Sequence, residues 1–163
     1  MKTNFSIVVW MMVFSVFFKM LIYFLNLQFS GYERAVIFGN VFILMTGVYL
    51  GIKLFKKEEA SKTTFLQDVK AGMRIASLYA VFMTGFIYLY YSSIDSTYFD
   101  QRFADQMSLV EPNNPNFDNI KQTAEFVLSP FFQSTVTLIG FLLLGSFYAA
   151  ILTFLLRKFR FER

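Results

Sequence analysis

The 163-residue chain contains no cysteine and no histidine. Without cysteine it has no disulfides, no thiolate metal centre, no haem attachment motif and no cysteine nucleophile. Without histidine it lacks the commonest general base and the commonest metal ligand. Charge is scarce as well, at 16% of residues where ordinary globular domains carry about 25%. Apolar residues take the space: 56% of the chain is hydrophobic, with 23 Phe, 9 Tyr and 1 Trp, and the mean hydropathy is +0.50. A soluble core of this length could not bury so much aromatic surface, so the composition points to an integral membrane protein.

A helix crossing ~30 Å of hydrocarbon at 1.5 Å per residue needs ~20 mainly apolar residues. Four stretches meet that need: Phe5–Leu27, Ala35–Phe55, Met73–Tyr91 and Phe131–Leu156. None alternates polar and apolar residues in the short segments of a membrane β-barrel. The first is longer than a signal-peptide apolar core and no small-x-small cleavage site follows it, so it reads as a retained helix. The expected fold is all-α. It is a single integral membrane domain, 1–163, with four transmembrane helices in a bundle and two short amphipathic helices in the outer segment 92–130.

Basic residues set the expected orientation. Lys2, the connection carrying Lys53, Lys56, Lys57, Lys62, Lys70 and Arg74, and the C-terminal Arg157, Lys158, Arg160 and Arg163 fall on one side. The other side holds only Arg34, Arg102 and Lys121. Both termini are therefore expected in the cytoplasm of a multi-pass inner-membrane protein. The sequence pI of 9.3 then reflects this orientation, and no nucleic-acid partner is inferred.

The connections carry local signals. Thr64-Phe65-Leu66-Gln67 fits a capping box, with Asp68 placed to favour a helix N-terminus. Phe65, Leu66 and Val69 would then lie at headgroup level. In the outer segment, Phe99, Phe103, Met107 and Val110 recur at helical spacing, and so do Phe117, Ile120, Ala124, Val127 and Leu128. Between the two sets, Glu111-Pro112-Asn113-Asn114-Pro115-Asn116 breaks the helix. Ser129-Pro130 supplies an N-cap and a first-turn proline for the fourth span. These two helices are expected to lie against the spans or lipid, or to serve as a lid or docking surface.

Phe65-Leu66-Gln67-Asp68-Val69-Lys70-Ala71-Gly72, Tyr88-Leu89-Tyr90-Tyr91-Ser92-Ser93-Ile94-Asp95 and the closing Ser129-Pro130-Phe131-Phe132-Gln133 resemble the domain-of-unknown-function family 4199. Its members are small four-span inner-membrane proteins of Bacteroidetes. The resemblance covers roughly the whole chain, with its specific motifs in the second half. Members often carry Asp-Pro near the end of span three, where this chain has Asp95-Ser96. The resemblance implies location and span count, and it brings no catalytic residues.

Lys19 is the one ionisable group well inside a span, and such groups are candidate functional sites. It lies ~12 Å below the outer end of its helix, a depth from which its stem could snorkel to a rim carboxylate. Alternatively it lines an outward-facing polar pocket with Asn40, Gln133 and Asp95, with Glu33 also near the rim. No span contains Asp or Glu, which disfavours proton- or cation-coupled transport, and no span supplies a nucleophile with a base. Glycine motifs for nucleotides are absent. The chain is accordingly expected to be no enzyme, with no catalytic residues, cofactor or metal.

Small residues recur on three spans: Gly47 and Gly51; Gly72, Ala76, Ala80 and Thr84; Gly145, Ala149 and Thr153. Such stripes let helix backbones approach closely in lipid, and they are expected to pack spans two, three and four together. The expected function is an accessory or scaffold subunit of a membrane complex. Its partners would be the lipid bilayer and a membrane protein or a second copy. The alternative is a small lipid-binding or transport protein built around Lys19.

Overall fold

Each of the four spans forms a helix in the computed structural model, which describes residues 2–59, 62–111 and 114–159. The elements are α1 (Lys2–Phe24), α2 (Glu33–Glu58), α3 (Phe65–Leu89), α4 (Tyr98–Ser108), α5 (Phe117–Val127) and α6 (Pro130–Lys158). A π-helical turn, Tyr90–Ile94, extends α3. There is no strand among the described residues. Among the described residues four stretches are long and apolar enough to cross a membrane: Phe5–Phe24, Arg34–Glu58, Phe65–Ile94 and Pro130–Lys158. Their apolar side chains point outward as well as inward: Phe38 is 73% and Leu143 67% exposed. Water would penalise that surface and hydrocarbon does not, so the architecture is that of a multi-pass membrane protein.

Local chemistry explains where the helices begin and end. Gln67 Oε1 accepts from the Thr64 N–H at 2.7 Å, while the Gln67 N–H donates to Thr64 Oγ1 at 3.3 Å. This reciprocal capping box starts α3. The Phe132 N–H donates to Ser129 Oγ at 3.2 Å, capping α6 with Pro130 in its first turn. Helix α1 stops three residues before Leu27, the expected end of the first span. Asn26 there adopts φ 55°, with its N–H on the Tyr23 carbonyl and the Leu27 N–H on the Ile22 carbonyl. Those two bonds are a Schellman cap, with asparagine in the left-handed position usually held by glycine.

The chain divides into two compact units, Met1–Phe82 with Ile139–Arg163, and Met83–Leu138. In the first, the inward face of α1 is Val8, Met11, Ser15 and Lys19, all buried and spaced three or four residues apart, as one helix face requires. In the second, α4 and the turn after it place Phe99 inward with Phe103, Met107 and Val110 half-buried, and α5 with the residue after it does the same with Ala124 beside Phe117, Ile120, Val127 and Leu128. Asn114 closes the turn before α5 by accepting from the Asn116 N–H at 2.9 Å. Pro112 and Asn113, in the expected helix break, lie outside the described residues. Phe65 and Leu66 are exposed and Val69 is half-buried.

Candidate functional site

Ser15, Lys19, Asn40 and Tyr79 are polar side chains buried among the apolar ones of α1, α2 and α3. Ser15 Oγ and the Tyr79 hydroxyl share a 2.6 Å hydrogen bond that ties α1 to α3. One turn further along α1, Lys19 is 5% exposed. Met11 lies against the Gly47 backbone, and the antiparallel register this sets brings Lys19 level with Gly39 and Asn40. Asn40 is buried, and its Oδ1 has no protein partner. Of the expected pocket residues, Lys19 and Asn40 thus belong to one layer of the first unit.

Asp95 and Gln133 belong to the second unit. The Tyr90 hydroxyl donates to Asp95 Oδ2 at 3.0 Å. The Asp95 N–H donates to the Tyr90 carbonyl at 2.9 Å, the five-residue reach that makes the turn π-helical. Around it Tyr91 packs on Tyr98 and Phe99, with ring centroids 5.0 and 4.6 Å away. Arg102 covers Tyr98, its Nε donating to the Tyr98 hydroxyl at 3.2 Å. Asp95 therefore closes a helix end inside an aromatic cluster. Gln133 is half-buried in the first turn of α6, where its N–H donates to the Ser129 carbonyl. Glu33, named for the rim, has a side chain outside the described set.

Small residues bring α3 and α6 together. A Cβ on Gly145 would run into Ala76, and one on Gly72 would stand 3.0 Å from the Ala149 Cβ. Ala80 is fully buried on the same face of α3. Gly51 faces Ile75 of α3, 2.5 Å from where its Cβ would be. Gly47, expected to join spans two, three and four, instead takes up Met11 of α1.

One turn beyond Gly72, the α3–α6 seam ends in charge. Asp68 has a side chain at 0% exposure, and its Oδ2 accepts from Arg157 Nε at 2.9 Å and Nη2 at 2.7 Å. Lys56 Nζ of α2 lies 3.6 Å from the same oxygen. Arg157 also donates from Nη2 to the Thr63 carbonyl at 2.5 Å. Two atoms here are buried without a protein partner, Asp68 Oδ1 and Thr153 Oγ1, and the seam register puts Thr153 opposite Asp68. From the sequence alone Asp68 is a helix-start acid and nothing more. Its partner is 89 residues away, and nothing local announces the pairing. Ser15 was detectable, because it lies one turn from Lys19 on the same face. Among the described residues no group of three or more His, Cys, Asp or Glu could hold a metal ion.

The chain matches the family described as a protein of unknown function, DUF4199, over residues 4–158, and it belongs to that family. No curated protein and no solved structure matches it.

Proposed function

For this four-span member of a family of unknown function, we propose a non-catalytic role as an accessory or scaffold subunit. It anchors or stabilises a partner membrane protein in the inner membrane, with both termini cytoplasmic and Ser92–Pro130 outside. The observation that carries this reading is the α3–α6 seam, close-packed at Ala76–Gly145 and Gly72–Ala149 and closed by the buried Asp68 carboxylate on Arg157. Transport by alternating access needs helices that rock apart around a central site. A seam without room for one added Cβ, bolted by an ion pair at its end, favours a static bundle. The spans also offer no mid-membrane carboxylate to couple movement to protons, and no nucleophile–base pair supports catalysis. The basic asymmetry between connections supports the orientation.

A second reading has its own observation: Asn40 Oδ1 is buried and unpartnered at the level of the buried Lys19. A small lipid-binding or transport protein would use the Lys19 ammonium to hold an anionic headgroup and Asn40 Oδ1 to accept from a hydroxyl on it. Purification of the tagged chain in mild detergent, followed by mass spectrometry of its protein and lipid, separates the two. The scaffold reading expects a membrane protein at stoichiometric amount. An anionic lipid alone, lost in Lys19→Met, would overturn it in favour of the second.

A further inference from the structure

A groove of about 380 Å3 runs between α1 and α2 on the surface of the first unit. Five residues of α1 from Ser6 to Phe14 and five of α2 from Phe42 to Leu50 line it, at identical spacing along the two helices. Its floor is Met11 lying on Gly47, where the missing side chain brings the helix axes close. Its walls are aromatic and open outward: Trp10 and Phe42 are well exposed. The groove covers nine residues of each helix, a length of ~12 Å. A partner helix crossing the membrane would need ~20 residues, ~30 Å, of continuous surface, far more than the groove offers. An acyl chain is thin, apolar and abundant at this depth.

What lies beyond the groove says which lipid. Helix α2 continues past Leu50, and at 100° per residue Lys53 and Lys57 fall on the groove-facing side. Both are exposed, and among the described residues neither meets a carboxylate; the Lys53 ammonium sits 5.8 Å from the Tyr49 ring centroid. Lys56, between them in sequence, points away to Asp68. A chain lying in the groove brings its phosphate to these two lysines. A headgroup with its own ammonium would set a third cation against them, whereas a net-negative headgroup would not.

We propose that α1 and α2 form a binding site for one anionic phospholipid, with an acyl chain in the groove and the phosphate at Lys53 and Lys57. The site lies at the opposite end of α1 and α2 from Lys19 and Asn40, and it stands whether or not the scaffold reading does.

Trp10, in the groove wall, is the only tryptophan in the chain, so its fluorescence reports this site alone. The full chain is reconstituted in phosphatidylcholine vesicles, with either phosphatidylglycerol or phosphatidylcholine carrying brominated, quenching acyl chains. Brominated phosphatidylglycerol should quench Trp10 as if enriched roughly thirtyfold over its bulk fraction, the scale of attraction that two lysines at a membrane surface provide. Lys53→Gln with Lys57→Gln should bring the two lipids to parity. Lys62→Gln with Lys158→Gln, the same charge loss off the groove, should keep the preference, and so should Lys19→Met. Equal quenching by both lipids in the unaltered chain would overturn the site. So would an off-groove pair that abolishes the preference as fully as the groove pair.

Discussion

Asp68 carries its partners on one oxygen, with Oδ2 bonded to Arg157 and near Lys56 while Oδ1 has none. Removing the guanidinium leaves the buried carboxylate with Lys56 alone, 3.6 Å away. Breaking a wholly buried pair costs ~3–5 kcal/mol. Arg157 is 33% exposed, so Arg157→Met should cost less, about 2–3 kcal/mol, measured by unfolding in mixed micelles. Asp68→Asn combined with Arg157→Met should recover most of that loss. A double variant as unstable as the single one would mean that the stranded charge is not the cause. Thr153 offers the converse case. Its hydroxyl is fully buried without a protein partner, a state that costs ~1–3 kcal/mol, so Thr153→Val should be neutral or stabilising in the same assay. A clear loss would show that the hydroxyl has a partner outside the protein.

Among the elements, the α3–α6 seam sets the sharpest steric test. Gly145→Leu has to displace Ala76 and the α3 backbone with it, and should cost ~3 kcal/mol or more. Gly140, on the same helix, has nothing within 4 Å of the place a Cβ would take. Gly140→Leu should therefore leave the detergent melting temperature unchanged or raise it slightly. Equal losses at the two sites would remove the close approach as the explanation. Asn26→Val should destabilise the end of α1 by ~1 kcal/mol, because a β-branched residue resists φ 55°, whereas Asn26→Gly should be tolerated. Features confined to one turn of chain were legible in the sequence: the Thr64–Gln67 box, the Ser129–Pro130 start, and the amphipathic faces of α4 and α5. Lys19 was legible as a candidate, and its inward facing follows from the stripe through Val8, Met11 and Ser15. The π turn was not legible, because one extra residue per turn leaves no pattern in composition. Nor were the Asp68–Arg157 pair and the placement of Gly47 against α1, which depend on how distant helices align.

For the whole molecule, orientation is the property on which every partner depends. The chain has no cysteine, so single substitutions report cleanly. Lys62→Cys and Asn114→Cys should behave oppositely toward an impermeant maleimide on intact spheroplasts, with only position 114 labelled. Labelling of position 62 alone would invert the topology and put the basic end outside. The bond between Asp68 and Arg157 has a further consequence, in time instead of space. At ~5–20 residues per second, a ribosome takes roughly 4–18 s to make the interval between them. During those seconds the nascent chain holds the acid of α3 with Lys56 of α2 as its cation and without the guanidinium that closes the seam. A chain that stops short of Arg157 keeps only the longer Lys56 contact, 3.6 Å away, and its weaker closure leaves a larger unfolded fraction for proteases to remove.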